Sequence, residues 1–164
     1  MRLIIDSLVL LMILGIVAGA VLHFRTKQET EYKIEQARRE VHRFGSQIKL
    51  QTAMGITELT SRGFPVSVDP EWFGGNLPTN PLLGRGHPWL EIARTSHQDL
   101  RHPVIKTASD HTIAQFWYNP YLGVLRARVP ARSTDVATLK IYNRVNECRL
   151  PNLFASGVSH ASSD

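Results

Sequence analysis

Seven histidines, 14 acidic residues and a single cysteine are the groups in this 164-residue chain with the chemistry for acid–base, metal or nucleophilic work. Asp110 with His111 and His97 with Asp99 are acid–imidazole neighbours that could be imagined as acid–base pairs. A chain with so many histidines and acids offers such neighbours by composition alone. No phosphate-cradling glycine loop, nucleophile elbow or paired-cysteine motif accompanies them, so no enzyme is expected. The histidines lack tight ligand spacing: His97 and His102 are five apart in a loop-rich segment, and a structural zinc site takes four closely organised ligands. Cys148 alone excludes an intrachain disulfide. The net charge of +5 is spread over Arg25, Lys27, Arg38, Arg39, Arg126, Arg128, Arg132, Lys140, Arg144 and Arg149. That dispersal reads as a solvated surface rather than a nucleic-acid-binding stripe.

Asp6 has the most unusual surroundings of the acids. It is the one charge between Leu3 and Leu22, a 20-residue run otherwise interrupted only by Ser7. At 1.5 Å per residue a helix of that length matches the hydrocarbon core of a bilayer. A carboxylate there costs about 2.5–3.5 kcal/mol at the helix centre and less near an end. Headgroup solvation or an intrahelical pair with Arg2, four residues away, would each satisfy it. A cleaved signal peptide is the competing reading of the run. Its apolar region spans only about 7–15 residues, whereas here the run passes the small trio Ala18-Gly-Ala20 and continues through Val21, Leu22 and Phe24. A retained anchor is expected. Gly15, Gly19 and the nearby alanines would let two such helices approach closely.

The elements after the anchor follow from periodicity. Residues 26–43 lack glycine and proline and are rich in helix formers. Ala37, Val41, Phe44 and Ile48 make one apolar face, which Ile56 and Leu59 extend. The helix is expected to stop at Ser61-Arg-Gly-Phe-Pro65. Residues 63–103 are dense in glycine and proline, with Trp72, Phe73, Trp89 and Leu90 available to pack the segment down. Trp72, Trp89, Phe116 and Trp117 are assigned to the core rather than to a binding surface. Val104–Ala108 is a short strand candidate. Ile113–Tyr118 and Val124–Val129 flank Asn119-Pro-Tyr-Leu-Gly123 as a β-hairpin. Thr138–Asn143 alternates as a further strand. The fold class is α+β, a long N-terminal helix packed on a small antiparallel sheet. The expected organisation is an anchor over 1–25, a helical spine over 26–62, a loop plus sheet over 63–150 and a flexible tail over 151–164.

This order of features resembles the type IV pilin and type II secretion pseudopilin superfamily, the major-pseudopilin type in particular. The resemblance rests on Ile5–Ala18, where an acid precedes a glycine by nine residues (Asp6 and Gly15). It also rests on the proline-rich Asn76-Leu-Pro-Thr-Asn-Pro-Leu-Leu-Gly84 and on the hairpin Trp117–Pro130. Met1-Arg2 stands where the family carries a leader ending in the glycine at which prepilin peptidase cuts. Asp6 replaces the usual glutamate, and His23 stands where many members have a proline. The resemblance implies a structural subunit of a type II secretion pseudopilus or pilus-like envelope machine that needs no cofactor, with Asp6, Gly15 and Gly19 serving assembly. It implies calcium as the one ion to consider, with Asp69, Glu71, Asp99 and Asp110 as oxygen donors, although their spacing matches no defined ligand loop. The implied partners are the membrane, other pilin-like subunits through the N-terminal helix and the assembly machinery, with no nucleic acid. The implied location is a single pass through the inner (cytoplasmic) membrane with the C-terminal domain extracytoplasmic. Charge counting points the other way, with Arg2 before the span and Arg25, Lys27 and Lys33 after it. The alternative is a membrane-tethered binding or scaffold domain of pilin shape that does not polymerise.

Overall fold

The computed structural model describes residues 2–55 and 57–155, without the side chains of 2–6, 8 and 9. Helix α1 spans Arg2–Met54, and the chain divides into two compact units, Met1–Lys33 and Ile34–Asp164. The first is helical throughout its described residues. Beyond the apolar run its surface is polar, with a Glu29–Lys33 pair one turn apart at 2.6 Å.

The second unit has the α+β architecture expected. Ile34, Ala37, Phe44 and Ile48 of α1 are buried at steps of three, seven and four, with Val41 packed beside them. Together they form the helical stripe that lies on the sheet. The helix ends earlier than its apolar pattern suggests. Gly55 adopts a left-handed conformation (φ 68°) and donates its N–H to the Thr52 carbonyl at 3.2 Å, which closes the last turn as a glycine C-cap does. Gly63, expected to be the stop, belongs to a separate turn in which Thr60 N–H donates to Phe64 O at 2.7 Å. Leu59 pairs with Pro65 in that turn and is exposed, so the stripe does not reach it. Ile56 and the tail residues 156–164 lie outside the described residues.

The glycine- and proline-rich segment is packed down by its aromatics, as expected. Phe44 stacks on Trp89 and meets Phe73 and Phe116 edge-on, all with ring centroids 5.2–5.4 Å apart. Trp72 and Leu90 join the same core from its margin. A 3-10 turn over Pro70–Phe73 presents two of these rings.

Three strands make the sheet: β1 (Leu90–Ile92), β2 (Phe116–Asn119) and β3 (Val124–Ala127), in that spatial order. The expected hairpin forms β2 and β3, with Phe116 opposite Ala127 and Asn119 opposite Val124. The sheet is nonetheless mixed rather than wholly antiparallel, because β1 runs parallel to β2, Leu90 beside Phe116 and Ile92 beside Tyr118. The connection over 93–115 is long enough for the crossover that parallel pairing demands. Val104–Ala108 forms no strand; Thr107 makes a single bridge to Val129. Thr138–Asn143 is not a strand either but the middle of helix α2 (Asp135–Val145), capped by the Thr134 hydroxyl accepting from Ala137 N–H. The buried set Thr138, Ile141, Tyr142 and Val145 follows the three-one-three rhythm of a helix, which its β-branched and aromatic members disguise. Just beyond α2, Asn146 closes the free edge of β3. Its side-chain oxygen accepts from Ala127 N–H at 2.7 Å and its amide donates to Ala127 O at 2.9 Å, a substitute for a fourth strand.

Two glycines with opposite requirements give a paired prediction. Gly123 closes the hairpin turn at φ +63°, and a Cβ there would collide with the Phe64 ring. Gly123→Ala is therefore expected to destabilise the protein by about 2–3 kcal/mol. Gly45 lies inside α1, where an added methyl group would meet nothing within 4 Å, so Gly45→Ala is expected to stabilise by about 0.5–1 kcal/mol. Urea denaturation of the full chain in mild detergent, followed by tryptophan fluorescence, checks both signs.

Candidate functional site

The largest exposed apolar surface belongs to the first unit. Leu10 to Phe24 carries ten large apolar side chains that are roughly half to two-thirds exposed, Leu11 at 70% and Ile16 at 68% among them. In water such a surface would be a severe liability. This is also where α1 is long and apolar enough to cross a membrane, with mean hydropathy 1.5 over an 18-residue window, none of it buried. Gly15 and Gly19 sit one turn apart within it, and a methyl group at either position would meet nothing within 4 Å. The small-residue face is open. The side chain of Asp6 lies outside the described residues.

The four acids considered for calcium are all exposed. Among the described residues, no three histidine, cysteine or acidic side chains are grouped so as to hold a metal ion. Two of the acids have local roles. Asp69 accepts from Glu71 N–H at 2.9 Å and starts the 3-10 turn. Asp110 accepts from the hydroxyl and backbone N–H of Thr112, bonds that hold its carboxyl below the usual carboxylate range. Asp99 borders a shallow depression with Arg62 and Tyr121. Two imidazoles that the sequence did not connect, His87 and His111, have ring centroids 4.9 Å apart. His87 Nδ1 is hydrogen-bonded with Ile113 O at 3.0 Å.

The sequence reading also missed a group of buried ionisable side chains in the domain. Arg128, read as surface charge, is 3% exposed. Its Nη2 meets Glu91 Oε2 at 2.6 Å, and its Nε and Nη1 donate to Ile105 O and Ala114 O. Lys106 is also buried, its ammonium donating to Pro103 O at 3.2 Å, and the loss of solvent lowers its pKa. His102 is buried with Nδ1 hydrogen-bonded to the Tyr142 hydroxyl at 3.1 Å. Burial, reinforced by Arg126, Lys106 and Arg101, pushes its pKa down to about 4. Burial pushes the Tyr142 phenol and the Cys148 thiol up, in both cases against the pull of Arg126. Cys148 is thus held as a thiol, donating to Asn143 Oδ1 at 3.2 Å, and is not an activated nucleophile.

The depressed His102 pKa has a consequence for stability. Between pH 6.5 and about pH 4 the unfolded chain binds a proton that the folded chain refuses, so stability falls as pH drops through that window. The expected loss by pH 4 from this residue is about 3 kcal/mol. His102→Gln should flatten this part of the stability curve, as urea midpoints across the window would reveal. Among the described residues the candidate functional surface is the exposed apolar segment of α1, a candidate membrane span by length and composition, while the buried polar groups bond within the domain. No protein-family model, curated protein or solved structure matches this chain.

Proposed function

We propose that this protein is a single-pass membrane protein of pilin-like type, a structural subunit of a type II secretion pseudopilus or related envelope machine. The observation that carries the reading is the pairing of roles within α1. Residues 10–24 expose apolar side chains all round, and residues 34–48 bury one stripe against a small sheet. A helix apolar on every side suits lipid, and one apolar on a single stripe suits the surface of a domain. The open small-residue face at Gly15 and Gly19 supports close association of such helices, with Asp6 nearby as a polar contact. In this reading the α+β domain is extracytoplasmic at the inner membrane, and the partners are further pilin-like subunits and the assembly machinery.

Cysteine cross-linking tests the assembly part. With Cys148→Ser as background, single cysteines placed in turn from Leu10 to Val21 are oxidised in native membranes. Disulfide-linked dimers are expected to peak with helical period, strongest on the face of Gly15 and Gly19. Monomer at every position would leave a tethered domain that does not polymerise.

A further inference from the structure

A depression of about 380 Å³ lies on the sheet face opposite α1. Its lining includes the Glu91–Arg128 ion pair, Arg94, Trp117 and the side chains of Val104 and Ile105. That volume falls in the range of small-molecule sites. The polar floor is held in advance: Arg128 is anchored by two carbonyls as well as by Glu91, so its position needs no ligand to set it. By contrast Val104 and Ile105 are more than half exposed, which is unusual for neighbouring large apolar residues beside a cavity.

Trp117 adds the informative feature. It is fully buried and its indole N–H has no acceptor, a condition that native structures rarely leave unanswered. Among the described residues, buried side-chain nitrogens lack a partner in Arg38, Trp89, Trp117 and Arg126. Of these residues, only Trp117 lines this depression. Two guanidiniums against one carboxylate leave the lining with a positive balance. An anion joined to an apolar body matches the charge of the lining and its exposed apolar wall, and the buried Trp117 indole in that lining would report its arrival.

We propose that this depression binds a small organic carboxylate, its apolar part on Val104 and Ile105 and its carboxylate paired with the exposed Arg94, next to the buried Trp117 ring. The site would be independent of membrane anchoring and of any assembly.

The test uses the full chain, 15N-labelled, in detergent micelles, where Trp72, Trp89 and Trp117 give three indole signals. Trp72→Phe and Trp89→Phe assign the Trp117 signal by elimination. Phenylacetate is the probe, and phenylacetamide its uncharged counterpart. With phenylacetate the Trp117 indole proton should shift saturably, with a Kd on the order of 1 mM for a ligand of about ten heavy atoms. In Ile105→Asp, which adds a negative charge to the wall, binding should weaken at least about tenfold, while the Trp72 and Trp89 signals stay in place. No saturable shift of Trp117 would overturn the proposal. So would an equal response to the amide, or an equal affinity in an Ile105→Asp protein whose other two indole signals are unchanged.

Discussion

Arg128→Met is expected to lower the unfolding free energy by about 2–4 kcal/mol, the cost of taking the donor from two carbonyls and the cation from a half-buried carboxylate. The substitution keeps most of the side-chain volume, so the loss is one of charge and hydrogen bonding rather than of packing. It leaves the carbonyls of Ile105 and Ala114 without their donor and Glu91 without its cation, and buried acceptors without partners are costly. Glu91 is 42% exposed at its side chain, so its own carboxylate can turn to water. Glu91→Gln should therefore cost less than Arg128→Met, with the guanidinium still held by its two carbonyls. As a control, Glu29→Gln breaks an exposed pair one helical turn apart and should cost no more than about 0.5 kcal/mol. Urea unfolding of the full chain in detergent ranks the three. An Arg128→Met protein as stable as the parent would mean that the pair does not tie β1, β3 and the 105–114 segment together.

Phe44→Ala should have an effect of similar size, about 3–5 kcal/mol, by a different route. Phe44 is fully buried and touches Phe73, Trp89 and Phe116, so its removal opens a cavity where α1, the irregular segment and β2 converge. Because those elements enclose the ring from three directions, little collapse is available to fill the space. Phe44→Leu should recover roughly half of the loss, since it restores volume without the edge-to-face contacts. The m-value should stay unchanged if only the native core is affected. A fall in m together with the midpoint would instead indicate that α1 detaches from the sheet in the native state.

The elements that were legible in the sequence are those with an unmixed period. The stripe Ala37, Val41, Phe44 and Ile48 and the hairpin around Asn119–Gly123 each had one dominant signal, and each is found where its pattern placed it. Helix α2 was hidden by composition: Thr138, Ile141, Tyr142 and Val145 are strand-favouring types set at helical spacing. The Thr134 cap and Asp135 in the first turn were the local signs of it. The parallel β1–β2 pair joins segments some 25 residues apart, and no local pattern encodes that choice of partner. Arg128 was read as solvated surface charge, but it is roofed by the 103–114 segment rather than by water. A different stretch covers Asn119, whose amide donates to the carbonyls of His97, Gln98 and Leu100. The apolar segment at the N-terminus was readable because its length alone carries the meaning. The calcium assignment did not gain support because the acids are dispersed over separate exposed turns, two of them already bonded to their own backbone.

Integration into a bilayer is the most direct test of the role assigned to α1. Membranes containing the full chain are washed at alkaline pH and separated by flotation, alongside a Leu11→Lys/Leu14→Lys variant. Each lysine in the span opposes insertion by about 2.5–3.5 kcal/mol. The parent chain is expected to float with the lipid at its full, uncleaved mass, while the variant stays in the soluble fraction with its α+β domain folded. A parent chain released by the wash, or recovered without residues 1–24, would contradict that role.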